Sequence, residues 1–213
     1  MVCFKTIYRW LYTGRLVKGL LTVLRHKGKR QKLAETRGKF AVGKTISQRP
    51  QEVRSRETFG HWELDTVVSG RGKSKGVATF IERKTRWYTA IRMPDRTALS
   101  MEIALGAEVS QYPANAFRTD TADRGKEFAC YASLEATHGL QMYFADPYSS
   151  WQRGANENAN GLLREFFPKG ADFAQITDEA LETALRLINH RPRKCLGWGT
   201  VHESFSEELS HLV

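Results

Sequence analysis

Cysteine is scarce and scattered: Cys3, Cys130 and Cys195 form no CxxC pair. A zinc ribbon and a disulfide framework are therefore excluded as the basis of the fold. A reducing, cytoplasmic compartment is the default. No apolar run approaches the roughly 20 residues of a membrane span. Met1–Trp10 lacks the continuous apolar core and small-residue cleavage site of a secretory signal. There is no internal repeat and no low-complexity tract. Acidic residues are nearly missing from the first quarter. Residues 1–59 hold 15 lysines and arginines against 3 acids, whereas residues 60–213 hold 18 against 20. A basic arm of this kind meets a polyanion, with nucleic acid first and an acidic membrane surface second.

What is present is one globular core's worth of chain. Of 213 residues, 41% are hydrophobic, enough for one full domain plus an appendage. Lys5–Tyr12 alternates basic and aromatic residues at helical spacing and predicts a short helix capped by Thr6, with Ile7, Trp10 and Leu11 on its apolar face. Arg15–Leu24 reads as a second short helix, and His26–Lys44 as an extended arm. The expected division is a basic N-terminal arm over 1–58 and a catalytic domain over 59–213.

From Phe59 the pattern changes. His61–Val68 alternates as a strand, with Trp62, Leu64, Thr66 and Val68 on one face and Glu63, Asp65 and Val67 on the other. After a turn over Gly70–Gly76, Val77–Glu82 and Trp87–Met93 complete an antiparallel meander. Ala98–Ser110 is an amphipathic helix, Ala116–Ala122 a fourth strand, Lys126–Thr137 a helix, Leu140–Ala145 a fifth strand and Asp178–His190 a helix capped by Thr177 or Asp178. The fold class is α/β, one mixed five-stranded sheet flanked by helices.

Three carboxylates stand out by position. Asp65 lies in the middle of an otherwise apolar strand, where it is costly to bury unless paired or holding a metal. Asp123 ends the fourth strand, and Glu157 begins the helix of WQRGANENANGLLREFFPKG, sharing one face with Gly161 and Arg164. With no His or Cys cluster beside them, three carboxylates favour Mg²⁺ or Mn²⁺ over zinc. Two such ions suit phosphodiester chemistry. Lys126, Arg153, Asn156, Asn160, Arg164 and Lys169 are candidate DNA contacts. His61 reads as structural, Asp146 as a turn former before Pro147, and Trp62, Trp87 and Trp151 as core residues.

The runs FGHWELDTVV, DRGKEF, YFADPYSSWQRGANENANGLLREFFPKG and NHRPRKCLG resemble the IS30 family of bacterial insertion-sequence transposases over nearly the whole chain. The resemblance implies a ribonuclease H-like integrase catalytic core. Its DDE triad falls on Asp65, Asp123 and Glu157, with 33 residues between the last two. It implies Mg²⁺ or Mn²⁺, most simply two ions, DNA (element ends and target) as partner, homo-oligomeric assembly and a nucleoid-associated location. The implied activity is strand cleavage by water and then attack of the freed 3′-hydroxyl on target DNA. The alternative is an inactive DNA-binding remnant that modulates an intact transposase. Family members usually carry a longer N-terminal part with a helix-turn-helix, so the chain is expected to be N-terminally truncated, with KTIYRWLY as that region's last helix. Three positions depart from the family pattern. Leu64 replaces a glycine, Asp120 an apolar strand residue, and Arg124 an asparagine, where it stands next to Asp123.

Overall fold

The structure is a computed structural model that describes residues 2–16, 43–70 and 75–212. The expected helix beyond Leu16, most of the His26–Lys44 arm and the centre of the Gly70–Gly76 turn lie outside these residues. The chain forms two compact units, Met1–Thr36 and Arg37–Val213. In the first, helix α1 spans Phe4–Tyr12 and starts at Cys3, so Thr6 lies inside the helix and does not cap it.

The second unit is built on a mixed sheet of six strands: β1 (Lys44–Thr45), β2 (His61–Val68), β3 (Gly76–Glu82), β4 (Tyr88–Met93), β5 (Thr119–Ala122) and β6 (Gln141–Phe144). Their spatial order is β1-β6-β5-β2-β3-β4. The meander β2-β3-β4 is antiparallel, and β5, β6 and β1 join β2 in parallel. All five expected strands are present. The sixth, β1, was read as arm, because two residues are too few to show a period of two. Lys44 pairs with Tyr143 and Thr45 with Phe144. Arg49 Nη1 donates to Thr121 Oγ1 over 3.0 Å, and Val53, on helix α2 (Glu52–Ser55), is fully buried. These contacts tie the segment before residue 59 to the sheet, so the expected boundary at 58/59 falls inside the compact unit.

Helices α3 (Ala98–Val109), α4 (Tyr131–His138), α5 (Gly154–Phe166), α6 (Asp178–Asn189) and α7 (Val201–Ser210) complete the layers. The alternation of β2 sends its side chains into two separate cores. Trp62 and Leu64 pack with Met101, Leu105, Leu134 and Phe205. Val67 packs with Ala155, Ala159, Leu163, Leu181 and Ile188 from α5 and α6. The Trp62 ring stacks on Phe117 at 4.1 Å, and its Nε1 donates to Ala116 O over 2.8 Å, which satisfies the one polar atom of a fully buried indole. Asp65, one residue from Leu64, therefore faces α5.

Capping chemistry sets where the helices begin. Thr97 accepts from the Ser100 amide, and Thr177 from the Ala180 amide. Helix α7 was not anticipated, although Thr200 and Glu203 form a reciprocal capping box whose pattern is present in the sequence. The helix expected over Lys126–Thr137 starts with a tighter turn at Lys126–Cys130, and only Tyr131–His138 is α-helical.

Candidate active site

Strand register brings two of the three carboxylates together. In the parallel β2–β5 pair, His61 lies beside Thr119 and Glu63 beside Thr121. The same offset, carried two residues on, sets Asp65, in the middle of β2, level with Asp123, which follows the last residue of β5. Asp65 and Asp123 meet on one guanidinium: Arg153 Nη1 is 3.2 Å from Asp65 Oδ1 and Arg153 Nη2 is 3.3 Å from Asp123 Oδ2. Arg153 Nη1 also donates to Leu64 O over 2.9 Å. Other donors hold the same carboxylates. The Thr66 amide donates to Asp65 Oδ1 (2.9 Å), Asn160 Nδ2 to Asp65 Oδ2 (3.0 Å) and the Gly125 amide to Asp123 Oδ1 (2.8 Å). Burial holds the Asp123 carboxyl above its ordinary pKa, and the Arg153 charge pulls in the opposite direction.

Glycine at 125 lets the Glu127 and Asp123 carboxylates close in on the backbone. A Cβ there would lie 2.6 Å from Glu127 Oε2 and 2.9 Å from Asp123 Oδ1. Glu127, which the sequence reading left unassigned, is nearly buried. It accepts from Thr66 Oγ1 (2.8 Å) and pairs with Arg96 (2.5 Å). It braces the turn that carries Asp123.

Glu157 lies on the exposed side of α5, one turn beyond Arg153. Among the described residues, no group of three or more His, Cys, Asp or Glu converges closely enough to hold a metal ion. The structure unites Asp65 and Asp123 around a cation, and Glu157 is not drawn into that cluster. Arg124, expected next to Asp123, turns away. Its Nε donates to Ala145 O over 3.2 Å, and Arg153 supplies the charge at Asp123.

Four of the six candidate DNA contacts face inward. Asn156 is fully buried: its amide donates to Glu63 Oε2 and its Nδ2 to Glu63 O, both over 2.9 Å, and its Oδ1 accepts from Thr79 Oγ1 over 3.2 Å. Asn160 accepts from the Tyr88 hydroxyl over 2.8 Å and donates to Asp65. Arg164 Nη2 donates to Val68 O over 2.9 Å. Arg153, Asn156, Asn160 and Arg164 thus recur at helical spacing and fasten α5 along β2. Their polar groups are engaged inside the protein. Lys126 and Lys169 are exposed. Trp151, expected in a core, is 75% exposed, and Tyr148, at φ 57°, is 69% exposed. His61 is buried as expected, its Nδ1 2.8 Å from Thr119 Oγ1. Asp146 ties off its turn by accepting from Gln152 Nε2 over 2.9 Å.

A six-stranded mixed sheet with two aspartates side by side across adjacent parallel strands defines a ribonuclease H-like integrase core. The integrase core domain family matches residues 55–150, a span that includes Asp65 and Asp123 and stops before Glu157. The catalytic core of BIV integrase superposes with a TM-score of 0.55 at 20% identity, covering 71% of this chain and 96% of that one. The chain of a simian T-cell lymphotropic virus intasome superposes with a TM-score of 0.58 at 17% identity, covering 78% of this chain and 57% of that one. By sequence, the chain is 36% identical to the transposase for insertion sequence element IS1086 of Cupriavidus metallidurans, over 99% of this chain and 64% of the relative. It is 36% identical to the transposase for IS4351 of Bacteroides fragilis (99% and 65%) and 37% identical to transposase InsI for IS30A of Escherichia coli (84% and 47%). The chain belongs to the IS30 family of transposases. It spans between about half and two thirds of the length of these relatives.

Proposed function

We propose that this chain is a DNA strand-transfer enzyme, a DDE transposase core. The observation that carries the reading is the convergence of Asp65 on β2 and Asp123 just after the parallel β5 on one cation, the Arg153 guanidinium. A pair of carboxylates that already holds a cation, with only oxygen donors, suits Mg²⁺ or Mn²⁺. Asp65 and Asp123 would hold the ion or ions, and Glu157 would join from the adjacent turn of α5. Bound there, the metal would supply charge stabilisation at the scissile phosphate.

The chain's own residues do the rest. Arg153 neutralises the acid pair before metal arrives. Asn160 and the Thr66 amide orient Asp65, and Gly125 with Glu127 orients Asp123. In the first reaction a water oxygen attacks phosphorus and the P–O3′ bond breaks, leaving a 3′-hydroxyl. In the second, that hydroxyl attacks a target phosphate and a second 3′-hydroxyl leaves. DNA is the proposed partner, and self-assembly into an oligomer is proposed with it. No helix among the described residues is long and apolar enough to cross a membrane.

The test is nicking of a labelled duplex carrying an IS30-type terminal repeat. Nicking is expected with Mg²⁺ and lost with chelator. It falls at least about 100-fold in Asp123→Asn and in Glu157→Gln, roughly 2.7 kcal/mol of transition-state stabilisation. Full nicking by Asp123→Asn overturns the site assignment. Salt-sensitive DNA binding with no nicking at any Mg²⁺ or Mn²⁺ concentration supports a binding remnant instead.

A further inference from the structure

A strongly basic cavity of about 580 Å³ is lined by Ile46, Ser47, Arg49, Arg54, Arg56, Arg83, Asp146, Trp151 and Gln152. Four arginines there face one lining carboxylate, Asp146, and that carboxylate is engaged by Gln152. Arg83 is answered from below by the buried Glu63. Arg49 has a hydroxyl partner, Thr121, and no carboxylate. Burial and the neighbouring charge of Arg83 push the Arg49 guanidinium down to about 10, with Arg54 and Arg56 adding to the repulsion and Glu63 opposing it. A cavity that collects like charges without matching acids is stabilised by a bound anion. Its size is that of an ordinary ligand site.

Two further features specify the anion. Trp151 lines the cavity and is 75% exposed, which leaves an aromatic face open to a stacking partner. Arg56 is shared with a neighbouring cavity of about 240 Å³, which also contains Arg86, Arg193 and the first turn of α5 at Gly154, Ala155 and Asn158. The arginines therefore form a track rather than a point. A row of phosphates beside an unpaired base matches both features: cations follow the backbone and an aromatic face takes the base.

We propose that this arginine track with Trp151 is a binding subsite for unpaired DNA, the strand that flanks the phosphate presented to Asp65 and Asp123. The chain geometry links the two places. Trp151 and Gln152 face the cavity, whereas the next residue, Arg153, reaches the acid pair. A strand lying in the cavity is therefore led to the carboxylates. The inference rests on the DNA reading above and adds a recognition site that discriminates frayed or overhanging ends from blunt duplex.

The experiment is fluorescence anisotropy with a labelled duplex, blunt or carrying a single-stranded overhang of about six nucleotides, and with inorganic phosphate as competitor. Trp151→Ala is expected to weaken binding of the overhang substrate about tenfold and blunt duplex less than twofold. Arg54→Gln/Arg56→Gln, at two exposed positions, is expected to lower the slope of log Kd against log salt by about 1.4 for the overhang substrate. Inorganic phosphate at millimolar concentration is expected not to displace the overhang. If it does, the cavity is a simple phosphate site and the base-stacking claim is wrong. If both variants bind the overhang as the wild type does, the subsite is overturned while the DNA reading stands. If the wild type binds neither substrate, the DNA reading itself falls. Circular dichroism of each variant separates loss of binding from loss of fold.

Discussion

Replacing Asp120 with valine raises the melting temperature by roughly 10 °C, because about 3 kcal/mol or more is regained in a domain of this size. Asp120 sits on β5 between Trp62 and Met142 in the strand register, within the core packed by α3 and α4. It is fully buried, and neither carboxyl oxygen has a hydrogen-bond partner. Burial alone pushes its pKa up to about 8 from 3.8. The native protein therefore keeps a proton there that the unfolded chain releases above pH 4. Stability contributed by that proton is complete below 3.8 and is lost at up to about 1.4 kcal/mol per pH unit as pH rises toward 8.

His61 works with the opposite sign. Burial lowers its pKa to about 4 from 6.5, so between those values the unfolded chain binds the extra proton and stability rises with pH. The two slopes oppose each other from about pH 4 to 6.5. From 6.5 to 8 only the Asp120 slope remains, and it removes about 2 kcal/mol. Glu82 and Glu108, both raised by burial, titrate in the same direction as Asp120. The informative quantity is thus the difference between wild type and Asp120→Val. Urea midpoints across pH 5–8.5 measure it. A difference that does not change with pH refutes the buried-proton account.

Arg83→Met has the largest expected destabilisation, about 3–5 kcal/mol. Arg83 pairs with the fully buried Glu63, and its Nε donates to Val53 O over 3.2 Å. Removing the guanidinium leaves a carboxylate in the core with its hydrogen bond from the Asn156 amide as the remaining support. The same change loosens the α2 segment at Val53 and the start of α5 at Asn156, so denaturant unfolding and DNA nicking both suffer. Adding Glu63→Gln to Arg83→Met is expected to recover more than half of the loss, since it removes the unpaired charge. Equal midpoints for Arg83→Met and wild type, within 1 kcal/mol, contradict a buried pair.

The five longer strands were legible because each has a period that reports which face is buried. Trp62-Glu63-Leu64-Asp65 is the clearest case: the even residues enter one core, while Asp65 turns to α5 as expected. Helices α3 and α6 were legible through Thr97 and Thr177. Strand β1 was not, since two residues carry no period. The inward turn of Asn156 and Asn160 was hidden for a different reason. A polar residue on a helix is ordinarily solvated, and only the tertiary placement of α5 over Glu63, Thr79 and Tyr88 supplies their partners. Arg153 was assigned to phosphate by its charge, yet the register of β2 and β5 gives it two carboxylates. The cavity arginines come from the 46–56 segment and from Arg83, 27 residues after Arg56, a proximity no local pattern encodes.

Because α5 spends Asn156, Asn160 and Arg164 inside the protein, its solvent flank is left with Glu157, Asn158, Gly161 and Glu165. That flank offers a polyanion two carboxylates and no cation of its own. Glu165 is held by Arg191 over 3.0 Å, which leaves Glu157 as the unpaired carboxylate of the flank. On the proposed DNA reading, the amino end of the helix, past Trp151, is where arginines rather than carboxylates would meet an incoming strand.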